Sequence, residues 1–99
     1  MFSNILIVCV GNICRSPLSE FLFRQRLGKI GVNISVSSAG LGALVGQSAD
    51  EKAIELMTEH GHDISMHIAR QLSEELVKQN ELILVMEYWQ QKEIEKLFP

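Results

Sequence analysis

The sequence predicts an α/β protein built on a parallel sheet, and three observations carry that prediction. Two continuously apolar runs rich in β-branched residues, Ile5-Leu6-Ile7-Val8 and Leu82-Ile83-Leu84-Val85, have the signature of strands covered on both faces. Stretches with helical spacing lie between and after them, an alternation that joins parallel strands by helical crossovers. With 99 residues, 46% hydrophobic and 21% charged, the chain reads as a single domain, residues 1–99, holding one core.

The elements are justified in order. Residues 4–8 form the first strand. A helix is expected from about residue 17 to 27, with Pro17 at its first position, Leu18, Phe21 and Leu22 on one face, and Gly28 and Gly31 as stops. Residues 34–37 alternate as an edge strand does. Ser48 and Glu51 make a capping-box pattern for a second helix, with Ile54 and Met57 inward and Gly61 ending it. Leu72 and Val77 bracket Ser73 as a hydrophobic staple, so Ser73 caps a short third helix whose first turn holds Glu74 and Glu75. Residues 82–86 form the last strand and residues 87–97 the last helix. Repeats and low-complexity tracts are absent.

In such sheets ligands gather beyond the carboxyl ends of the strands, and the first strand runs directly into Cys9-Val10-Gly11-Asn12-Ile13-Cys14-Arg15-Ser16. This loop has the makings of an oxyanion cradle that contains its own nucleophile. Five residues between Cys9 and Arg15 let successive N–H groups of Val10, Gly11, Asn12, Ile13 and Cys14 converge on one centre as a nest for a dianion. Gly11 is expected to supply the backbone freedom of the turn, and Asn12 tolerates a left-handed conformation. Arg15 adds a planar fork for two phosphate oxygens, and the helix start at Pro17 aims its partial positive charge at the same point. Those donors favour the thiolate of Cys9, since a free thiol with a pKa near ~8.5 is mostly protonated at neutral pH. The bland alternative is an inert buried cysteine beside a surface arginine. By chance, Cys, five arbitrary residues, Arg and then Ser or Thr should arise in about one chain in a hundred of this length, and the flanking strand and helix make it rarer.

From these residues the chain resembles the low-molecular-weight protein-tyrosine phosphatases, most of all their bacterial, exopolysaccharide-associated branch. The resemblance rests on Val8 through Pro17 and continues in order at Ser37-Ser38-Ala39-Gly40, Ser48-Ala49-Asp50, His67-Ile68-Ala69-Arg70-Gln71-Leu72 and Leu82-Ile83-Leu84-Val85-Met86-Glu87. It implies a three-layer Rossmann-like or flavodoxin-like sheet with strand order 2-1-3. Family members continue past the equivalent of Pro99 into a fourth strand, an Asp-Pro-aromatic loop carrying the general acid, and a closing helix. These 99 residues contain no Asp-Pro. Asp50 and Asp63, the two aspartates present, fit a helix first turn and a turn, and neither is a convincing replacement acid. The apolar strand 82–86, left as an open edge, is expected to invite self-association.

The same resemblance implies hydrolysis of phosphotyrosine through a cysteinyl-phosphate on Cys9, with Arg15 stabilising the equatorial oxygens and Ser16 bonding the sulfur. Helix N-capping is the ordinary alternative for Ser16. Asn12, Ser38 and His67 are implied to support the loop, although His67 read by itself is a surface histidine. Leu41, Leu44 and Val45, in a glycine-punctuated loop, either wall an aryl ring or cover the core. Cys14 is either a redox partner of Cys9 or a small hydrophobe under the loop.

Other classes fare worse. Residues 1–49 carry Arg15, Arg24, Arg26 and Lys29 against Glu20 alone, while residues 50–99 carry five bases against eleven acids, for a net charge of −3. The positive half suits an anion site, and the acidic total argues against a nucleic-acid partner. Apolar runs are too short for a membrane span, the start Met1-Phe2-Ser3-Asn4 lacks a basic leader, and cytoplasmic location is the expectation. Two cysteines in one loop are no disulfide framework. With His60, His62 and His67 they lack the usual zinc-ligand spacing, so no metal or cofactor is expected. Arsenate reduction would need later relay cysteines, which residues 80–88 lack. The remaining alternative is a phosphate- or phosphotyrosine-binding module without turnover. The expected partner is a phosphotyrosine protein, such as a bacterial tyrosine autokinase of exopolysaccharide or capsule export, with phosphate and vanadate as inhibitors.

Overall fold

A central strand with two apolar faces organises the molecule. In a computed structural model that describes residues 3–99, β1 (Asn4–Cys9) pairs in parallel with β2 (Ser35–Gly40) on one side and β3 (Leu82–Val85) on the other, giving the order β2-β1-β3. Met1 and Phe2, half of the segment read above for a leader, lie outside the described residues. The expected 2-1-3 parallel topology is therefore the observed one. The register sets Cys9 opposite Gly40 and Val8 opposite Val85.

Alternation along β1 builds the layers, because successive side chains leave opposite faces of a strand. Leu6 and Val8 join Ala39, Leu72 and Ile94 in a cluster flanked by Leu76 and Val77 of α3 (Glu74–Gln79) and by Phe98 beyond α4 (Tyr88–Leu97). Ile5 and Ile7 join Val36 on the other face, against Leu27 of α1 (Arg15–Lys29). Leu6, Ile7 and Val8 are at most 1% exposed, and burial of such side chains contributes about 1.5–3 kcal/mol each. A third cluster of Ala49, Ala53, Met57 and Ile64 docks α2 (Glu51–Glu59) on Leu18 and Phe21 of α1.

Several local expectations are corrected. β2 runs on to Gly40 although Ser37-Ser38-Ala39-Gly40 is weak strand sequence, because ladder pairing with β1 outweighs local propensity. The cap of α2 is Asp50, whose carboxylate accepts from Lys52 N–H at 3.1 Å, and not Ser48. Asp50 N–H donates to Ile13 O at 2.6 Å, so tertiary docking starts the helix two residues later than the Ser48 pattern implies. Ser73 caps α3 as expected, accepting from Leu76 N–H. In α1, Pro17 occupies the third position, where a helix still lacks an intrahelical acceptor for its N–H groups. Leu22 is 44% exposed and does not share the buried face with Leu18 and Phe21. β3 is half-buried along its length, as an outer strand is. No helix among the described residues is long and apolar enough to cross a membrane.

Candidate active site

The segment after β1 turns every carbonyl outward. Cys9 O, Val10 O and Gly11 O accept from the N–H groups of Leu41, Gly42 and Leu44 at 2.9, 2.9 and 3.1 Å. Ile13 O accepts from Asp50 N–H and Cys14 O from Leu18 N–H. Asn12 O accepts from His67 Nε2–H at 2.7 Å, since a carbonyl cannot donate. Six consecutive carbonyls are thus held by the surroundings. Among the described residues the N–H groups of Gly11, Ile13, Cys14, Arg15 and Ser16 bond no protein acceptor. Such a set of converging amides at a helix start binds an anion by its dipoles alone. The N-cap of α1, Cys14, makes no side-chain cap, which leaves the first-turn donors free.

Asn12 is the keystone of the turn. It is wholly buried and holds a left-handed φ of 59°. Its backbone N–H donates to Cys9 Sγ at 3.2 Å, and Nδ2 donates to Ser16 Oγ at 2.8 Å and Ser38 Oγ at 2.9 Å. Oδ1 accepts from Arg70 N–H at 2.9 Å. Every polar group of this buried residue has a partner, which offsets the strained backbone and the burial. Gly11, expected to supply the conformational freedom, does not have a positive φ, and a methyl there would meet Ile13 Cγ1 at an ordinary 3.6 Å. The asparagine takes the left-handed position in its stead.

The glycine that sterics demand is Gly40, where an added Cβ would overlap the Val10 carbonyl oxygen and press on Ala43. Gly40→Ala should therefore destabilise the protein by about 1–3 kcal/mol, the usual cost of overpacking against backbone. Gly11→Ala should change stability by less than about 1 kcal/mol. Urea unfolding of the two variants checks this, and equal midpoints would contradict it.

The sulfur of Cys9 is buried, 2.9 Å from Ser16 Oγ. Ser16 is itself wholly buried in the first turn of α1 and serves the sulfur and Asn12; it does not cap the helix. Cys14 is exposed and both thiols are free. Arg15 is half-exposed, with Nη1 3.8 Å from Oε1 of Glu87, the residue preceding α4. An exposed pair at that distance contributes about 0–1 kcal/mol, so it leaves the guanidinium available. Of the three loop residues considered for an aryl wall, Leu41 packs against the core cluster of Leu6 and Val8, whereas Leu44 and Val45 are exposed. Among the described residues no three His, Cys, Asp or Glu gather as a metal site.

The geometry also brings in residues that sequence reasoning did not assign. Ser38 O–H donates to Glu20 Oε1 at 2.5 Å, Arg24 bonds Glu20 Oε2 and Val36 O, and Arg70 Nε–H donates to Ser38 O at 2.8 Å. Ser16, Glu20 and Arg24 stand at i, i+4 and i+8, a polar stripe along the side of α1 that faces the loop and β2. That spacing, with Glu20 as the sole acid of residues 1–49, was the available signal.

The family model for low molecular weight phosphotyrosine protein phosphatase matches residues 4–99. The low molecular weight protein-tyrosine-phosphatase Ptp of Acinetobacter johnsonii is 50% identical over 98 residues, which are 99% of this chain and 66% of that protein. The tyrosine phosphatase Wzb of Escherichia coli K30, solved with phosphate, superposes with a TM-score of 0.89 at 40% identity, covering 100% of this chain and 63% of that one. Wzb of Vibrio vulnificus, solved with benzylphosphonate, gives 0.91 at 40% identity, covering 100% and 68%. The chain spans slightly less than two thirds of the length of the Acinetobacter relative.

Proposed function

This chain belongs to the low molecular weight phosphotyrosine protein phosphatase family, and we propose that it hydrolyses phosphotyrosine in proteins through a cysteinyl-phosphate on Cys9. The observation that carries the reading is the pairing of a buried sulfur, bonded by Ser16 Oγ and Asn12 N–H, with inward-facing amides whose carbonyls are all tied outward. The phosphate and benzylphosphonate held by the two Wzb proteins are an anion and an aromatic phosphonate of the kind such a cradle fits.

The Cys9 thiolate attacks phosphorus in line with the tyrosyl oxygen; the S–P bond forms, the P–O bond breaks, and the leaving oxygen takes a proton. The free N–H groups of Gly11, Ile13, Cys14, Arg15 and Ser16 and the Arg15 fork stabilise the three equatorial oxygens as charge develops. Water then attacks phosphorus, releasing inorganic phosphate and restoring the thiolate. The Ser16 O–H eases this second departure by bonding the sulfur. Asn12, Ser38 and His67 keep the loop in its binding shape, and Leu44 and Val45 line the approach of the aromatic ring. The substrate we assign is an autophosphorylated tyrosine kinase of exopolysaccharide or capsule export, met in the cytoplasm, with phosphate and vanadate as competing anions.

Among the described residues both aspartates are engaged elsewhere, and neither is offered to the leaving oxygen. Asp50 caps α2, and Asp63 is held below the usual carboxylate range by hydrogen bonds from the side chain and backbone of Ser65. A tyrosyl oxygen leaves poorly unless protonated, and general-acid help contributes ~10²–10⁴-fold. A polypeptide of these residues should hydrolyse p-nitrophenyl phosphate about 10²-fold or more faster than phenyl phosphate. Equal rates would contradict this division of roles. The reading as a whole is tested by acid-quenched mixing with p-nitrophenyl phosphate: a phosphate mass increment on the Cys9 peptide supports it. Tight phosphate binding with neither increment nor nitrophenol burst would instead make the chain a binding module.

A further inference from the structure

One acid in the polar stripe of α1 is tied into a chain of hydrogen bonds that ends on the reactive sulfur. The Glu20 side chain is only 17% exposed, and both carboxylate oxygens are engaged, Oε1 by Ser38 and Oε2 by Arg24, each at 2.5 Å. A carboxylate only accepts, so the Ser38 proton must point at Glu20. The Ser38 oxygen then faces Asn12 with its lone pairs and accepts from Nδ2. The second Nδ2 proton goes to Ser16 Oγ. Having accepted on that side, Ser16 has its own proton to give to Cys9 Sγ.

We propose that Glu20 is a positioning residue that fixes the direction of the Ser38–Asn12–Ser16 hydrogen bonds, so that Ser16 presents its O–H to the Cys9 sulfur. This rests on the phosphatase reading of Cys9 and adds to it a residue that never touches substrate. Arg70 N–H on Asn12 Oδ1 constrains the same amide from the far side, so the two anchors leave it one orientation. The charged and titratable groups around Glu20 are Arg24 on its own helix, Asp63 and His67 from the segment after α2, and Arg70.

The sign of one measurement separates this role from a simple charge effect. Removing a negative charge near a thiol by itself makes the thiolate easier to form. Losing the directed O–H does the opposite. In E20Q, Arg24 claims the amide oxygen, the amide NH₂ turns toward Ser38, and the serine proton loses its acceptor. The midpoint of the pH–rate curve for Cys9 alkylation by iodoacetamide, followed by peptide mass, should therefore rise by about half a unit. kcat/KM for p-nitrophenyl phosphate should fall about three- to tenfold. S38A breaks the same link from its other end and should shift the midpoint in the same direction, and E20Q added to S38A should shift it no further.

A midpoint that falls or stays in E20Q, with thermal unfolding unchanged, overturns the proposal. So does an unshifted S38A, or a full E20Q effect in the S38A background. Failure of the phosphatase reading is seen separately, in the unsubstituted protein, as Cys9 alkylation that inorganic phosphate does not slow.

Discussion

Cys9→Ser should lower kcat/KM on p-nitrophenyl phosphate by at least about 10³-fold while phosphate still binds. A thiol ionises within reach of neutral pH and a serine hydroxyl does not, so the in-line attack loses its nucleophile. The cradle itself does not depend on the sulfur. Its amides are aimed by carbonyls tied to Leu41, Gly42, Leu44, Asp50 and Leu18, whereas the sulfur is hydrogen-bonded by Ser16 and Asn12. Calorimetric titration with phosphate beside the kinetic assay checks both halves. Retained turnover would remove Cys9 from the chemistry, and loss of phosphate binding would mean that the sulfur, not the amide ring, holds the anion.

Asn12→Ala should have the largest effect on the loop, with a stability loss of about 3–5 kcal/mol and a fall in kcat/KM of about 10²-fold or more. The substitution puts alanine at a φ of 59°, where its Cβ crowds the backbone. It also strips the partners from Ser16 Oγ, Ser38 Oγ and Arg70 N–H together, all of them drawn to one buried amide. Asn12→Gly separates the two contributions, because glycine accepts the left-handed backbone but offers no amide. It should recover about 1 kcal/mol of stability and little of the activity. Urea unfolding and steady-state kinetics on both variants make the measurement. Wild-type activity in Asn12→Gly would show that the network is dispensable.

The parts of the fold that were legible in the sequence are those set by pattern over several residues. The run Ile5 to Val8 is apolar at every position and became the central strand, and the staple of Leu72 and Val77 around Ser73 set the start of α3. The parts that were not legible are those decided by partners distant in sequence. The capping-box pattern points to Ser48, and the contact of Asp50 N–H with Ile13 O moves the cap to Asp50. Gly11 and Gly40 both sit at the loop, yet only Gly40 lies where β2 and the Val10 carbonyl come too close for a side chain.

The candidate site divides in the same way. Cys9 to Ser16 stand together in sequence and so announce themselves as a loop, whereas Glu20, Arg24 and Arg70 join it through Ser38, Val36 O and Asn12 across the sheet. A search for apolar stripes reads α1 as a core-facing helix and passes over Ser16, Glu20 and Arg24, a polar stripe that bonds the loop and β2. Leu22 falls on one face with Leu18 and Phe21 in that pattern, yet α1 leaves it exposed.

A crystal of the protein grown with orthovanadate tests the anion cradle most directly. The expected density is a vanadium atom bonded to Cys9 Sγ, its equatorial oxygens received by the N–H groups of Gly11, Ile13, Cys14, Arg15 and Ser16 and by the Arg15 fork. Vanadate bound elsewhere, with the loop empty and Cys9 unligated at saturating concentration, would contradict it.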